Sequence, residues 1–164
     1  MNDTTLYGLA ERVGTALRER GERLATAESC TGGGIAQALT DVPGSSDWFE
    51  CGLVTYSNGA KQHLLGVPKA VLDRCGAVSE ETVFAMAAGA LRQTEATFAV
   101  AVSGIAGPAG GTPGKPVGTV WLAWLSRDGA VRKTAKLSLD GDRLQVRRLA
   151  VEAALRGIID AVGG

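Results

Sequence analysis

Apolar residues recur every three or four positions at Leu6, Leu9, Ala10, Val13, Ala16 and Leu17. That spacing predicts an amphipathic helix near the amino terminus. Thr4 or Thr5 can cap its start and Gly21 its end. The period then changes. Residues 23–28 read as a strand that runs into a glycine-rich turn, and a helical pattern resumes over roughly 32–40. Val42-Pro43-Gly44-Ser45-Ser46 is a turn signal, and residues 48–57, rich in aromatic and β-branched types, read as a second strand. Residues 59–65 form a short helical pattern carrying Lys61 and His63, and Pro68 opens another. Ser79-Glu80-Glu81 starts a longer helix, with acidic side chains at the positive end of its dipole; Val83, Met86, Ala87, Ala90 and Leu91 line one face.

Thr97 to Ser103 is continuously apolar up to its last residue, as a strand buried on both faces would be. Residues 104–116 hold five glycines and three prolines and predict a long shaped loop. Val117 to Leu125 is a further strand, and residues 130–139 alternate like an edge or half-buried one. Asp142 can cap a final helix with Leu144, Val151, Leu155, Ile158, Ile159 and Val162 facing inward. Helices interleave with strands early and a hairpin comes late. The expected fold is a three-layer α/β/α sandwich with a mixed, mostly parallel sheet. At 164 residues, without linker, repeat or low-complexity stretch, the expected organisation is one domain over residues 1–164.

Charge narrows the class of partner. Lys plus Arg and Asp plus Glu each number 17, so the chain lacks the surplus positive charge that drives bulk affinity for nucleic acid or anionic membrane. No apolar run approaches the roughly 20 residues needed to span a bilayer. The first residues lack the charged and apolar regions of a signal peptide, so a cytoplasmic location is expected. Cys30, Cys51 and Cys75 are widely spaced, and His63 does not join them as a ligand set. Buried reduced thiols are expected, with neither structural zinc nor a disulfide framework.

Three segments carry candidate chemistry. Glu28-Ser29-Cys30-Thr31-Gly32-Gly33-Gly34 sits at a strand-to-helix turn. There the free N–H groups of a helix start favour an anion, a carboxylate or a developing oxyanion. The competing reading is a glycine loop with Ser29 or Thr31 as a plain helix cap. Ser29 and Cys30 are both potential nucleophiles; their side chains diverge, and the residues alone do not choose between them. Ser103-Gly104-Ile105-Ala106-Gly107-Pro108 follows another predicted strand. Ligands of open α/β sheets bind beyond strand carboxyl ends, so the two loops can converge on one cleft. The loop is neither a dinucleotide fingerprint nor a P-loop. The third segment, Tyr56-Ser57-Asn58-Gly59-Ala60-Lys61, places a tyrosine at a strand end and a lysine at a helix start; a lysine of lowered pKa can serve a serine nucleophile as base. Gly141-Asp142-Arg143 offers Arg143 as a clamp for a phosphate or carboxylate.

Taken together and in this order, the segments resemble the CinA carboxy-terminal domain family, the nicotinamide-nucleotide amidases. The resemblance rests on residues 26–33 (Thr-Ala-Glu-Ser-Cys-Thr-Gly-Gly), 42–46, 52–58 with Lys61, and 65–68. It continues through 76–80, 104–108 with Gly110 and Gly111, 115–118 and 141–143, and so covers nearly the whole chain. It implies hydrolysis of the carboxamide of nicotinamide mononucleotide to nicotinic acid mononucleotide and ammonia, in pyridine-nucleotide salvage. It carries the catalytic positions over to Ser29, Tyr56 and Lys61, with either Lys61 or Tyr56 as the proximal base. Thr31, Gly32 and Gly33 would hold the oxyanion. Ser103, Gly104, Ala106, Gly107 and Arg143 would hold the nucleotide. No cofactor or metal is implied, and a homodimer or larger homo-oligomer is. The resemblance is to the stand-alone form, without the amino-terminal pyrophosphatase-like domain to which the family is often fused. Two departures are visible: Ser103 stands where the family has threonine, and Leu144-Gln145-Val146 lacks its usual acidic residues. The alternatives are a non-catalytic nucleotide-binding, competence-associated module and an amidase for another small amide.

Overall fold

A computed structural model of the chain describes residues 5–163. Its elements follow the order α1 (Leu6–Arg20), β1 (Leu24–Glu28), α2 (Gly34–Thr40), β2 (Phe49–Val54), α3 (Asn58–Leu65), α4 (Lys69–Cys75), α5 (Glu80–Gln93), β3 (Phe98–Gly104), β4 (Thr119–Ser126), β5 (Arg132–Ser138) and α6 (Arg143–Ile158), which ends in a π-helical turn. The five strands form one sheet in the order β2-β1-β3-β4-β5. β1 pairs in parallel with β2 and β3, while β4 is antiparallel to β3 and to β5. Four of the five strands therefore run one way, as a mixed, mostly parallel sheet requires.

Strand alternation sorts the two layers that cover the sheet. Leu24, Phe98, Val100, Val102, Val120, Leu122 and Trp124 face α1, α2 and α6. Ala25, Ala27, Ala99, Ala101 and Ala123 face the other way, under α5. One side is built of large side chains and the other of small ones, so α5 lies close to the sheet. Its own small residues continue the pattern. A Cβ at Gly89 would fall 1.9 Å from the carbonyl oxygen of Leu65, the last residue of α3. The absence of a side chain at position 89 is what lets α3 dock against α5.

Local signals set the boundaries. Thr5 caps α1 by accepting from the Gly8 N–H, and Gly21 ends it in the left-handed conformation; Thr4, the other cap expected, lies outside the described residues. Ser57 caps α3 and Ser79 caps α5. Asp142 caps α6 in a reciprocal capping box with Gln145. The second strand is shorter than expected: it stops at Val54, because the chain turns at residues 55–57 to enter α3. Leu144 departs from its expected inward orientation and is 71% exposed. It is the second residue of the helix, and the helix face toward the core is first taken by Val146. Of the three thiols, Cys30 is buried, whereas Cys51 and Cys75 are half-buried. No described helix is long and apolar enough to cross a membrane.

Substituting Gly89→Ala tests the packing account. Helix propensity alone favours alanine by about 1 kcal/mol. The contact with the Leu65 carbonyl reverses that sign, and overpacking of this kind costs about 1–3 kcal/mol. A lowered midpoint in thermal or urea denaturation is the expected result; a raised one would show that α3 and α5 are not in close contact.

Candidate active site

The parallel strands end together at one edge of the sheet, and both glycine-bearing loops leave from there. The pairing of Glu28 with Val102 and Val54 fixes the level at which they do so. One residue further, the Ser29 N–H donates to the Val102 carbonyl at 3.1 Å and the Thr55 N–H to the Glu28 carbonyl at 2.8 Å. The register thus carries on to place Ser29 beside Ser103. Both occupy the strand parity that faces α5, the parity of Ala27 and Ala101.

Neighbours of Ser29 along the chain point the opposite way. Cys30 enters the core on the α1–α2–α6 side, and burial pushes its thiol up to about 11. The divergence of adjacent side chains is therefore resolved by parity: Ser29 lines the site and Cys30 does not.

Lys61 completes a tight cluster. It is the fourth residue of α3, and helical side chains lean toward the amino end of their helix. Its Nζ therefore reaches back past the Ser57 cap to the chain that enters α3. There it donates to the carbonyls of Thr55 and Tyr56, each at 2.9 Å, and lies 2.8 Å from Ser29 Oγ. Lys61 is 1% exposed and Ser29 7%. Burial, with no carboxylate among the described residues bonded to the amine, lowers the Lys61 ammonium from the usual 10.5 to about 8. A tetrahedral nitrogen has four positions: one is the side chain, two are spent on carbonyls, and the last faces the serine oxygen.

Tyr56 is not part of that cluster through its phenol. Its backbone carbonyl takes the Lys61 bond, while its ring is 61% exposed and its hydroxyl accepts from Arg143 Nη2 at 3.2 Å. Lys61, not the phenol, is the group adjacent to Ser29. Arg143 also donates from Nη1 to the Gly107 carbonyl at 2.7 Å. The expected clamp is thus held at the mouth of the cleft, against the second glycine loop. His63 is exposed.

The turn that follows Ser29 departs from expectation in one respect. Neither Ser29 nor Thr31 caps α2; the cap position is Gly33, with no side-chain bond. The helix start is instead filled from upstream by Glu28, which is fully buried. Its carboxylate accepts from Thr31 Oγ1 at 2.5 Å, the Ile35 N–H at 2.9 Å and the Ala36 N–H at 3.0 Å. An anion already occupies the positive end of this helix. The Thr31 hydroxyl is therefore committed to Glu28, and the Gly32 N–H is committed to the Ser29 carbonyl at 3.0 Å. Of the three residues expected to hold an oxyanion, Thr31 and Gly33 keep backbone N–H groups with no acceptor among the described residues. Ala106 is buried in the α6-side core, so its methyl faces away from the cleft. Gly107 adopts φ +84°, a conformation that favours glycine.

Glu28 and Arg147 are the residues that the sequence reading missed. Arg147 donates from Nε to the Cys30 carbonyl at 3.0 Å and from Nη2 to the Thr31 carbonyl at 3.3 Å. Its signal was the four-residue spacing from Arg143, which puts both guanidiniums on one face of α6. A cavity of about 310 Å³ between α1, α2 and α6 lies behind this turn, and Ser29 and Lys61 do not line it.

Known proteins agree with this architecture. The model of the CinA C-terminal domain matches residues 6–162, and the chain belongs to that family. It is 57% identical over 151 residues to the nicotinamide-nucleotide amidohydrolase PncC of Pseudomonas putida, covering 92% of this chain and 93% of that protein. It is 51% identical over 156 residues to the protein of the same name from Escherichia coli K12, covering 95% and 94%. The crystal structure of the competence/damage inducible protein CihA from Agrobacterium tumefaciens superposes with a TM-score of 0.92 at 45% identity, over 95% of this chain and 94% of that one. A competence damage-inducible protein A from Klebsiella pneumoniae gives 0.92 at 40% identity, over 97% and 98%.

The buried thiol supplies a test of the turn. Under native conditions at pH 8, iodoacetamide is expected to modify Cys51 and Cys75 well before Cys30, as read by peptide mass spectrometry. Fast labelling at Cys30 would mean that Cys30, too, opens to the cleft.

Proposed function

We propose that the chain is a nicotinamide-nucleotide amidohydrolase that converts nicotinamide mononucleotide to nicotinic acid mononucleotide and ammonia, with Ser29 as nucleophile and Lys61 as general base. The observation that carries the mechanism is the 2.8 Å approach of Lys61 Nζ to Ser29 Oγ while two carbonyls occupy its other donor positions. The identity of the substrate comes from the names of the relatives, which share about half or more of their residues with this chain over nearly their full length.

In the neutral amine, two N–H bonds point at the Thr55 and Tyr56 carbonyls. The lone pair is left facing Ser29, where it accepts the hydroxyl proton as Oγ attacks the carboxamide carbon. The carbonyl oxygen becomes an oxyanion held by the N–H groups of Thr31 and Gly33, each donor being worth roughly 3–4 kcal/mol in comparable sites. Lys61 returns the proton to the amide nitrogen as the C–N bond breaks and ammonia leaves. Water then attacks the acyl-serine ester, Lys61 takes its proton, and the acid is released as Ser29 Oγ is reprotonated. Tyr56 and Arg143, joined at the mouth, contact the nucleotide, with its phosphate against Arg143 and the loop of Gly104 and Gly107. Ser103 lies beside Ser29 and contributes a hydroxyl to the substrate, at the position where the family resemblance implies threonine. The reading takes residues 1–164 as one catalytic domain. On the family resemblance it extends to a cytoplasmic homodimer or larger homo-oligomer.

The test is release of ammonia and nicotinic acid mononucleotide in equal amounts from nicotinamide mononucleotide. Ser29→Ala is expected to lower turnover by more than about 10⁴-fold with the fold intact, and Cys30→Ala to keep it. Turnover that survives Ser29→Ala and is lost in Cys30→Ala would move the nucleophile. Release confined to non-nucleotide amides would make the chain a different amidase, and tight binding without release would make it a binding module.

The pH profile carries a second prediction. The base must be neutral, and the Lys61 ammonium loses its proton near pH 8. kcat/KM is therefore expected to rise about tenfold per pH unit below an inflection near 8 and to level off above it. A profile flat from pH 6 to 9 would remove Lys61 from the role of base.

A further inference from the structure

We infer that Arg147 is a positioning residue for this reaction: from α6 it fixes and polarises the peptide unit whose N–H holds the oxyanion. The inference rests on the serine-hydrolase reading above and adds a residue to it. A peptide unit is planar and trans, so its N–H points away from its own carbonyl oxygen. The Cys30 carbonyl and the Thr31 N–H belong to one such unit. Arg147 Nε donates to that carbonyl at 3.0 Å, and α6 packs on the sheet face opposite to the one that Ser29 and Lys61 occupy. The Thr31 N–H is thereby aimed toward the face of the nucleophile, where it has no acceptor among the described residues.

The guanidinium adds polarity to direction. A cation donating to the carbonyl oxygen draws electron density through the peptide and makes its N–H a stronger donor. The second bond, from Nη2 to the Thr31 carbonyl at 3.3 Å, stops the turn from rotating about the first. That carbonyl also accepts the Gly34 N–H at 3.0 Å, which locks it from the helix side. Nη2 lies so close that a Cβ at Gly32 would stand 3.1 Å from it. Glu28 takes the donors on the far side of the same turn. The turn is thus held at its acceptors by a cation and at its donors by an anion, and among the described residues the Thr31 and Gly33 N–H groups remain without an acceptor. A residue that acts in this way affects the transition state, where charge resides on the oxyanion, more than it affects substrate binding.

The experiment compares wild type, Arg147→Gln, Arg147→Lys and Ser29→Ala in steady-state hydrolysis of nicotinamide mononucleotide, with thermal midpoints measured alongside. Arg147→Gln is expected to lower kcat roughly 10- to 100-fold, less than the roughly 10²- to 10³-fold that follows loss of an oxyanion donor itself. KM should stay within about twofold, and the inflection near pH 8 should not move, because Lys61 is untouched. Arg147→Lys, which retains the charge and one donor, is expected to recover part of kcat. Because Arg147 is half-buried, these variants should fold; if the glutamine variant does not, the lysine variant carries the test. Unchanged kcat, or a loss confined to KM, would overturn the inference. Ser29→Ala separates the two levels: if it remains active, the serine reading fails; if it is inactive while Arg147→Gln keeps full kcat, the positioning role alone fails.

Discussion

A lysine amine removed from water, with no carboxylate bonded to it among the described residues, is the constraint on which the site depends. Lys61 is held 2.8 Å from Ser29 by carbonyls of the chain just ahead of its own helix. Carbonyls satisfy its N–H groups without adding a negative charge that would keep it protonated. An aspartate in their place would stabilise the ammonium and raise its pKa, and the amine would then be a counter-ion instead of the base proposed for it. The same burial is unfavourable to stability at neutral pH, because the ammonium is less costly in the unfolded chain than in the folded one. The fold supports that cost by docking α3 on α5 through Gly89 and by capping α3 at Ser57.

The second constraint is alternation along β1. Glu28, Ser29 and Cys30 are consecutive, and all three are chemically capable of work. The pleat sends Glu28 and Cys30 to the α1–α2–α6 side and Ser29 to the other. Each then meets a different environment: Glu28 the start of α2, Cys30 an apolar core, and Ser29 a buried amine. Geometry separates the environments of three adjacent residues, which is why burial pushes the Cys30 thiol, next to Ser29, up to about 11.

Much of this was legible in the residues. The period changes marked the helices and strands to within a few positions, helped by caps at four of the six helices: Thr5, Ser57, Ser79 and Asp142 all accept a backbone N–H at a helix start. The glycine loops fell at the carboxyl ends of adjacent strands, as the α/β layout requires. Three things were hidden. The burial of Lys61 depends on how α3 packs, and nothing in an eight-residue helix announces that. Glu28 caps a helix from seven and eight positions upstream, outside the window in which capping patterns are read. Arg147 meets the turn at Cys30 and Thr31 across 116 and 117 residues of sequence. The choice between Lys61 and Tyr56 stayed open in the residues for a related reason: the backbone and the ring of Tyr56 serve different partners, and a residue name does not say which is in use.

The most direct measurement is an NMR titration of the Lys61 side chain in the resting enzyme, with Lys61→Met to assign the signal. The account predicts an inflection near pH 8, far below the usual 10.5. An inflection in the ordinary lysine range would mean that the amine beside Ser29 is a permanent cation, and the central claim of a neutral base facing the serine would be wrong.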